Sequence, residues 1–210
     1  GGQFHLKNSG KRGISLNVRD PRGLEIAKRL ISMSDVVAEG FSPGVLERWG
    51  LGYDVLRELK PDIIYAKQSG MGAIGTYGRM RTVGPVAQAF SGISELSGLP
   101  APAMPAGWGY SYLDWYGAYQ IALAMMAGLY RQKTTGQGCW IDSPQVETGL
   151  YLTGSTILDH AVNGQRWSRY GNRSPYKPAA PHGAYRVRGA DRWITIAAFT
   201  NEEWLALTRV

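Results

Sequence analysis

A single cysteine, Cys139, stands in a chain of 210 residues, so no intrachain disulfide is available and the fold must rest on its core. Histidine is nearly as scarce: His5, His160 and His182 are scattered, without the spacing of a zinc site, and no structural metal is expected. Nowhere do about 18 apolar residues run together, and the polar start GGQFHLKNSGKRG lacks the apolar segment of a signal peptide. Neither membrane insertion nor export is indicated, and a cytoplasmic location is the expectation. Acidic residues are outnumbered 16 to 23 by basic ones, for a formal charge of +7. That excess suits an anionic partner. The basic residues, however, are dispersed through KNSGKRG, AKRL, GRMR, RQK and RWSRYGNR rather than gathered into a block or a nucleic-acid motif, which argues against nucleic acid.

What is present is the make-up of a globular protein, 44% hydrophobic and 19% charged, with enough apolar side chains for a core and one or two domains. GISLNV reads as a short strand, and Leu24, Ala27, Leu30 and Ile31 then recur at helical spacing. Residues 35–39 form a second strand ending in Gly40-Phe41-Ser42-Pro43-Gly44, where Ser42 is placed as N-cap and Pro43 as first helical residue of VLERWG. A short helix from Tyr53 to Leu59 stops before Pro61, and the β-rich Asp62 to Lys67 leads into the loop SGMGAIGTYG. Such alternation predicts an α/β fold with a largely parallel sheet, whose ligands sit outside the carboxyl ends of the strands. Further on, residues 100–110 predict a loop and Trp115 to Lys133 a mostly buried helix with Asp114 at its start. CWIDS adds a strand in which Cys139 is expected as a buried, inert thiol. PQVETGLYLTGSTILDHAV adds a helix. The last part holds two strands paired around Gly189-Ala190-Asp191 and a closing helix.

Taken in order, KRGISLNVRDPRGLEIAKRL, DVVAEGFSPGVLERWGLGYDVLRELKPDIIYAKQSGMGAIGTYG, YLDWYGAYQIALAMMAGLYRQKTTGQGCWIDSPQVETGLYL and PHGAYRVRGADRWITIAAFTNEEW resemble successive signature regions of the class III coenzyme A transferases, the formyl-CoA and carnitine CoA-transferase-like family related to the α-methylacyl-CoA racemases. The resemblance implies a Rossmann-like parallel sheet in a large CoA-binding domain, expected over residues 1–165. It also implies a smaller α+β domain beginning at 166–210, and a homodimer of two interlocked rings. Members of this family are about twice as long, so a further strand-and-helix unit is expected before Gly1 and a return segment after Val210. The partners implied are an acyl-CoA and a small carboxylic acid. Coenzyme A enters as substrate, with no tightly bound cofactor and no metal.

The family nucleophile is an Asp in a short aromatic-flanked motif before a small-residue-rich helix, and the position matching it is Asp114 in SYLDWYGAY. A carboxylate at a helix start faces unpaired backbone N–H groups and the positive end of the dipole, which favour negative charge there. The alternative for Asp114 is a plain N-cap. Asp142, in WIDS, is the rival carboxylate and matches a family position with structural duties. For CoA, the resemblance points to Leu16, Asn17 and Arg19 after the first strand, and to Gly40, Phe41, Ser42 and Arg48 after the second. Ser69, Gly70 and Met71 follow the third. A solvated charge for either arginine, and a core position for Phe41, remain open.

Two departures from the family pattern stand out. Where the racemases place a histidine as second acid/base, this sequence reads Val83-Gly84-Pro85-Val86, and proline moves no proton. In place of a glycine-rich lid it reads GNRSPYKPAAPHGAY, which puts Arg173, Tyr176, Lys177 and His182 forward as acyl contacts or as surface decoration. Trp108, Tyr110, Tyr112, Trp115 and Tyr116 form either an apolar acyl pocket or core packing around the helix start.

Overall fold

The computed structural model describes residues 2–78, 80–107 and 110–210. In chain order its elements are α1 (Gly2–Asn8), α2 (Pro21–Ser32), β1 (Val36–Glu39), α3 (Val45–Arg48), α4 (Tyr53–Leu59), β2 (Ile64–Ser69) and α5 (Gly84–Phe90). There follow α6 (Tyr112–Thr135), β3 (Cys139–Pro144), α7 (Gln145–Leu152), α8 (Gly154–Asn163), β4 (His182–Arg186), β5 (Trp193–Ala197) and α9 (Asn201–Leu207). Two compact units result, one of residues 1–82 with 114–148 and the other of 83–113 with 149–210. No described helix is long and apolar enough to cross a membrane.

In the first unit β1, β2 and β3 form a parallel sheet with β2 in the middle, as the alternation of strands and helices predicts. A central parallel strand is covered on both faces, which is why IIYAK reads as a continuous run: residues from Ile63 to Lys67 are all buried. On one side α2 buries Ala27 and Ile31 against Leu46, Leu51, Leu56, Ile63 and Tyr65. Asp20 starts that helix by accepting the Arg22 N–H at 2.9 Å, with Pro21 in the first turn.

Helix α6 lies on the sheet along one stripe. Gly128 is a point of close approach, since a methyl group there would sit 3.3–3.4 Å from Ile64, Cys139 and Ile141. One turn later Gln132 donates to the Asp62 carbonyl at 2.8 Å. Gly117 and Ile121, on the same stripe by their three- and four-residue spacing, continue it toward the carboxyl edge of the sheet, and Asp114 is the next position back. Cys139 is half-buried rather than fully enclosed.

Several expectations are corrected. GISLNV is not a strand: its backbone has no ladder partner among the described residues, Ile14 is exposed, and only Leu16 and Val18 pack on the core. Ser42 and Pro43 do not start α3. Gly44 caps it with a left-handed φ of 84°, which turns the chain after Pro43. α6 begins at Tyr112, so Asp114 lies inside its first turn rather than at its cap. The helix expected from Gln145 onward is broken at Thr153, whose hydroxyl bonds the carbonyls of Ser91 and Gly149 at 3.1 and 3.2 Å.

The second unit has a small core of Ala87, Ile93 and Leu113. Arg169 ties its loop together, donating to the carbonyls of Leu99 and Ala103, each at 2.9 Å, and to the Glu95 carboxylate at 2.5 Å. The antiparallel pair β4–β5 closes around Gly189 and Asp191, both with positive φ, where the turn was expected. α9 opens on a capping box between Thr200 and Glu203.

Candidate active site

At the carboxyl edge of the parallel sheet, Gln145 follows directly on β3 as the first residue of α7 and is buried. Its Nε2 donates to Asp114 Oδ1 at 2.6 Å. This holds the carboxylate by one oxygen. Beside it, the end of β2 presents Gln68, whose amide nitrogen would lie 2.7 Å from a methyl group at position 117. Glycine at 117 thus leaves space for this amide beneath the first turns of α6.

The loop after β2 is bound to the same edge. Val146 N–H donates to the Gly70 carbonyl at 2.9 Å, and Ala73 N–H donates to Asp142 Oδ2 at 2.8 Å. Asp142 therefore holds a loop, the structural duty expected of it. A side chain at Gly70 would collide with Thr82, whose Oγ1 lies 1.3 Å from where a Cβ would be. Of the predicted residues, Ser69 ends β2, while Gly70 and Met71 begin the loop after it, with Met71 buried.

The loop after β1 is governed by a buried charge cluster. Glu39 and Lys67 are register partners across the β1–β2 ladder, and Lys67 Nζ lies 2.7 Å from Glu39 Oε1 with both side chains almost wholly enclosed. Tyr65 donates to the same oxygen at 3.0 Å, while Glu39 Oε2 accepts the Phe41 N–H at 2.5 Å. Burial, and then the Glu39 charge, push the Tyr65 hydroxyl far above its ordinary range, so it stays a neutral donor. The ion pair fixes the backbone of residues 40–41, and Phe41 packs edge-on to Trp49 at 5.4 Å.

Ser42 and Arg48 line a groove of about 530 Å³ together with Pro43, Gly44, Glu47, Ala73 and Arg81. Nothing in the sequence marks Arg81, since GRMR reads as one of several basic fragments. Two guanidinium groups beside a glycine-bearing turn suit a ligand carrying several phosphate charges. Gly40 and Phe41 adjoin Ser42 in the chain but are not among the lining residues. Leu16, Asn17 and Arg19 sit in the irregular stretch before α2. Leu16 packs on the core, and Asn17 Oδ1 accepts the Arg19 N–H at 3.1 Å in a local turn.

Elsewhere, Tyr176 packs against Trp167 at 5.2 Å, Lys177 lies 4.4 Å over the Phe199 ring, and His182 Nδ1 contacts the Asn172 carbonyl, while Arg173 borders the groove beside Phe199 and Trp204. Of the aromatic residues near Asp114, Trp115 is in contact with Lys7 at 4.5 Å and Tyr110 with Tyr112 at 6.2 Å; Trp108 lies outside the described residues. Pro85 stands in the first turn of α5.

The family model for CoA-transferase family III matches residues 1–210. The chain belongs to this family. Among its relatives of CoA-transferase family III, the succinyl-CoA:mesaconate CoA-transferase of Haloarcula marismortui is 31% identical over 211 residues, covering 99% of this chain and 52% of that protein. The acetyl-CoA:oxalate CoA-transferase of Acetobacter aceti is 32% identical over 186 residues, covering 88% of this chain and 47% of the relative. A solved CAIB/BAIF family protein from Brucella suis superposes with a TM-score of 0.85 at 28% identity, covering 99% of this chain and 54% of the other. The chain therefore spans about half the length of each of these relatives.

Proposed function

We propose that the protein is an acyl-CoA:carboxylate CoA-transferase in which Asp114 is the nucleophile. The observation that carries this reading is the 2.6 Å contact from Gln145 to Asp114 at the carboxyl edge of the parallel sheet, the edge where α/β folds place ligands. The groove of Arg48 and Arg81 lies in the same unit. Asp114 attacks the thioester carbonyl of the donor, giving an aspartyl anhydride and CoA thiolate. The thiolate returns to the aspartyl carbon, releasing the donor acid and leaving an aspartyl-CoA thioester. The acceptor carboxylate then attacks the aspartyl carbonyl carbon, and the CoA thiolate released returns to the acceptor's carbonyl in the new anhydride, so that CoA leaves on the acceptor and Asp114 is regenerated.

In this reading CoA is a substrate and no tightly bound cofactor takes part. Its phosphates meet Arg48, Arg81 and the turn at Ser42, while Ser69, Gly70 and Met71 flank the thioester arm. Leu16, Asn17, Arg19, Gly40 and Phe41 complete the CoA surface in the assembled enzyme. The acceptor is a small carboxylic acid, in keeping with relatives whose names pair succinyl-CoA with mesaconate and acetyl-CoA with oxalate. Residues 1–165 belong to the large CoA-binding domain and 166–210 begin the smaller one, in a cytoplasmic dimer of interlocked rings.

The test is a coupled assay on the whole protein, with succinyl-CoA or acetyl-CoA as donor and dicarboxylic acids as acceptors, in deuterated water. The reading expects CoA to appear on the acceptor without deuterium at the α-carbon. Deuterium entering that carbon with no change of acyl partner contradicts it and points to proton-transfer chemistry of the racemase kind.

A further inference from the structure

Two carboxamides lie against the first turns of α6: Gln145 bonds Asp114, and Gln68 lies beside Gly117, three residues further on. Gln145 is buried at a helix start, where a polar side chain loses water and gains one bond to the acid. Its second amide hydrogen is left over. Gln68 Nε2 is wholly enclosed and, like Ser69 Oγ, Thr82 Oγ1 and Asp142 Oδ1, has no hydrogen-bond partner among the described residues; of these it is the one that lies against α6 beside Gly117. A buried donor left unmade costs about 1–3 kcal/mol, and natural folds keep few of them unless the group has a task. Both side chains lie against the same spot of α6, for a methyl at 117 would be 2.7 Å from Gln68 Nε2 and 3.5 Å from Gln145 Cγ. That spot is one turn from Asp114.

We propose that the Gln145 and Gln68 carboxamides form a two-donor cradle for the oxygen of the acylated Asp114, with Gln145 also holding the free carboxylate ready for attack. The inference rests on the nucleophilic role of Asp114 given above. When the CoA thiolate attacks the aspartyl carbon of the anhydride, the C–S bond forms and the carbonyl electron pair moves onto oxygen. The pair returns as the C–O bond to the donor carboxylate breaks. Negative charge therefore peaks on one Asp114 oxygen, already within 2.6 Å of Gln145 Nε2. A fixed donor aimed at that oxygen stabilises the transition state without reorganisation. Gln68 supplies the second hydrogen bond, and its donor is unpaired before reaction because its partner is the charge that develops. The two members of the cradle come from different strands, Gln68 from β2 and Gln145 from the residue after β3, so the sheet itself sets their separation.

The experiment uses the whole protein with succinyl-CoA, following the covalent aspartyl species by quenched-flow intact mass spectrometry and CoA affinity by calorimetry. Gln145→Met keeps the volume, Gln145→Glu keeps the shape but removes the donors, and Gln68→Leu removes the second amide. The cradle predicts that both Gln145 variants slow adduct formation about 100-fold and lower kcat while KM for succinyl-CoA holds. Gln68→Leu acts in the same direction, and circular dichroism stays that of the wild type. Wild-type rates in Gln145→Glu, or losses confined to KM, overturn the proposal while leaving the nucleophile intact. Absence of any adduct in the wild type overturns instead the reading on which it stands.

Discussion

Lys67 and Glu39 face each other across the β1–β2 ladder with 2.7 Å between nitrogen and oxygen and almost no exposure to water. Such a pair is costly to enclose and more costly to break, because the survivor is left as an unpaired buried charge. Lys67→Met is expected to destabilise the protein by about 3–5 kcal/mol and to loosen the Phe41 backbone that Glu39 holds. Chemical denaturation checks this. The double change Lys67→Met with Glu39→Gln should recover a large part of the loss, and a loss equal to the single variant's would contradict the pairing.

Tyr65 gives a prediction at high pH. Its hydroxyl is raised from an ordinary value of 10.0, first by burial and then by Glu39. The folded state therefore keeps a proton that the unfolded chain gives up above pH 10, so this group's contribution is complete below that pH and is lost as pH rises beyond it. Tyr65→Phe removes the proton in question. Its stability should fall less steeply than the wild type's between pH 10 and 11, as read by denaturant titrations at fixed pH.

Much of the first unit is legible in the sequence because its signals are local. VVAE, IIYAK and CWID are β-rich runs, and each is a strand. GISLNV carries the same signal yet stays irregular, since a strand also needs a neighbouring backbone, which no pattern in one segment supplies. Helix α5 is not legible in the sequence, because GPVAQAF is short and small-residue-rich, with no apolar period. Asp114 is legible through its motif. Gln145 is not, because its meaning lies in a contact with a residue 31 positions away, and Arg81 likewise joins Arg48 only through the folding of the loop after β2.

Gly117 separates packing from catalysis. Gly117→Ala gains helix propensity of about 1 kcal/mol, while the new methyl is too close only to the movable end of Gln68, at 2.7 Å, and makes an ordinary contact with Gln145 Cγ at 3.5 Å. Thermal stability should change little, while turnover falls as that amide is displaced from the cradle. Unchanged turnover would remove Gln68 from the reaction.

Arg48 and Arg81 predict a different signature. If each pairs with a phosphate of CoA, replacement by alanine forfeits a charge-assisted hydrogen bond and weakens CoA binding roughly 10-fold or more. Calorimetry should show the loss growing smaller as salt is raised, with the rate of the covalent step at saturating donor unaltered. A fall in that rate with affinity intact would place the arginines elsewhere in the cycle.

Intact-protein mass spectrometry of the whole protein after incubation with succinyl-CoA and hydroxylamine, comparing wild type with Asp114→Ala, decides whether Asp114 is the nucleophile. A nucleophilic Asp114 gives a hydroxamate that maps to residue 114 in the wild type and is missing from the variant. A modification at another carboxylate, Asp142 included, or one that survives in Asp114→Ala, would contradict it.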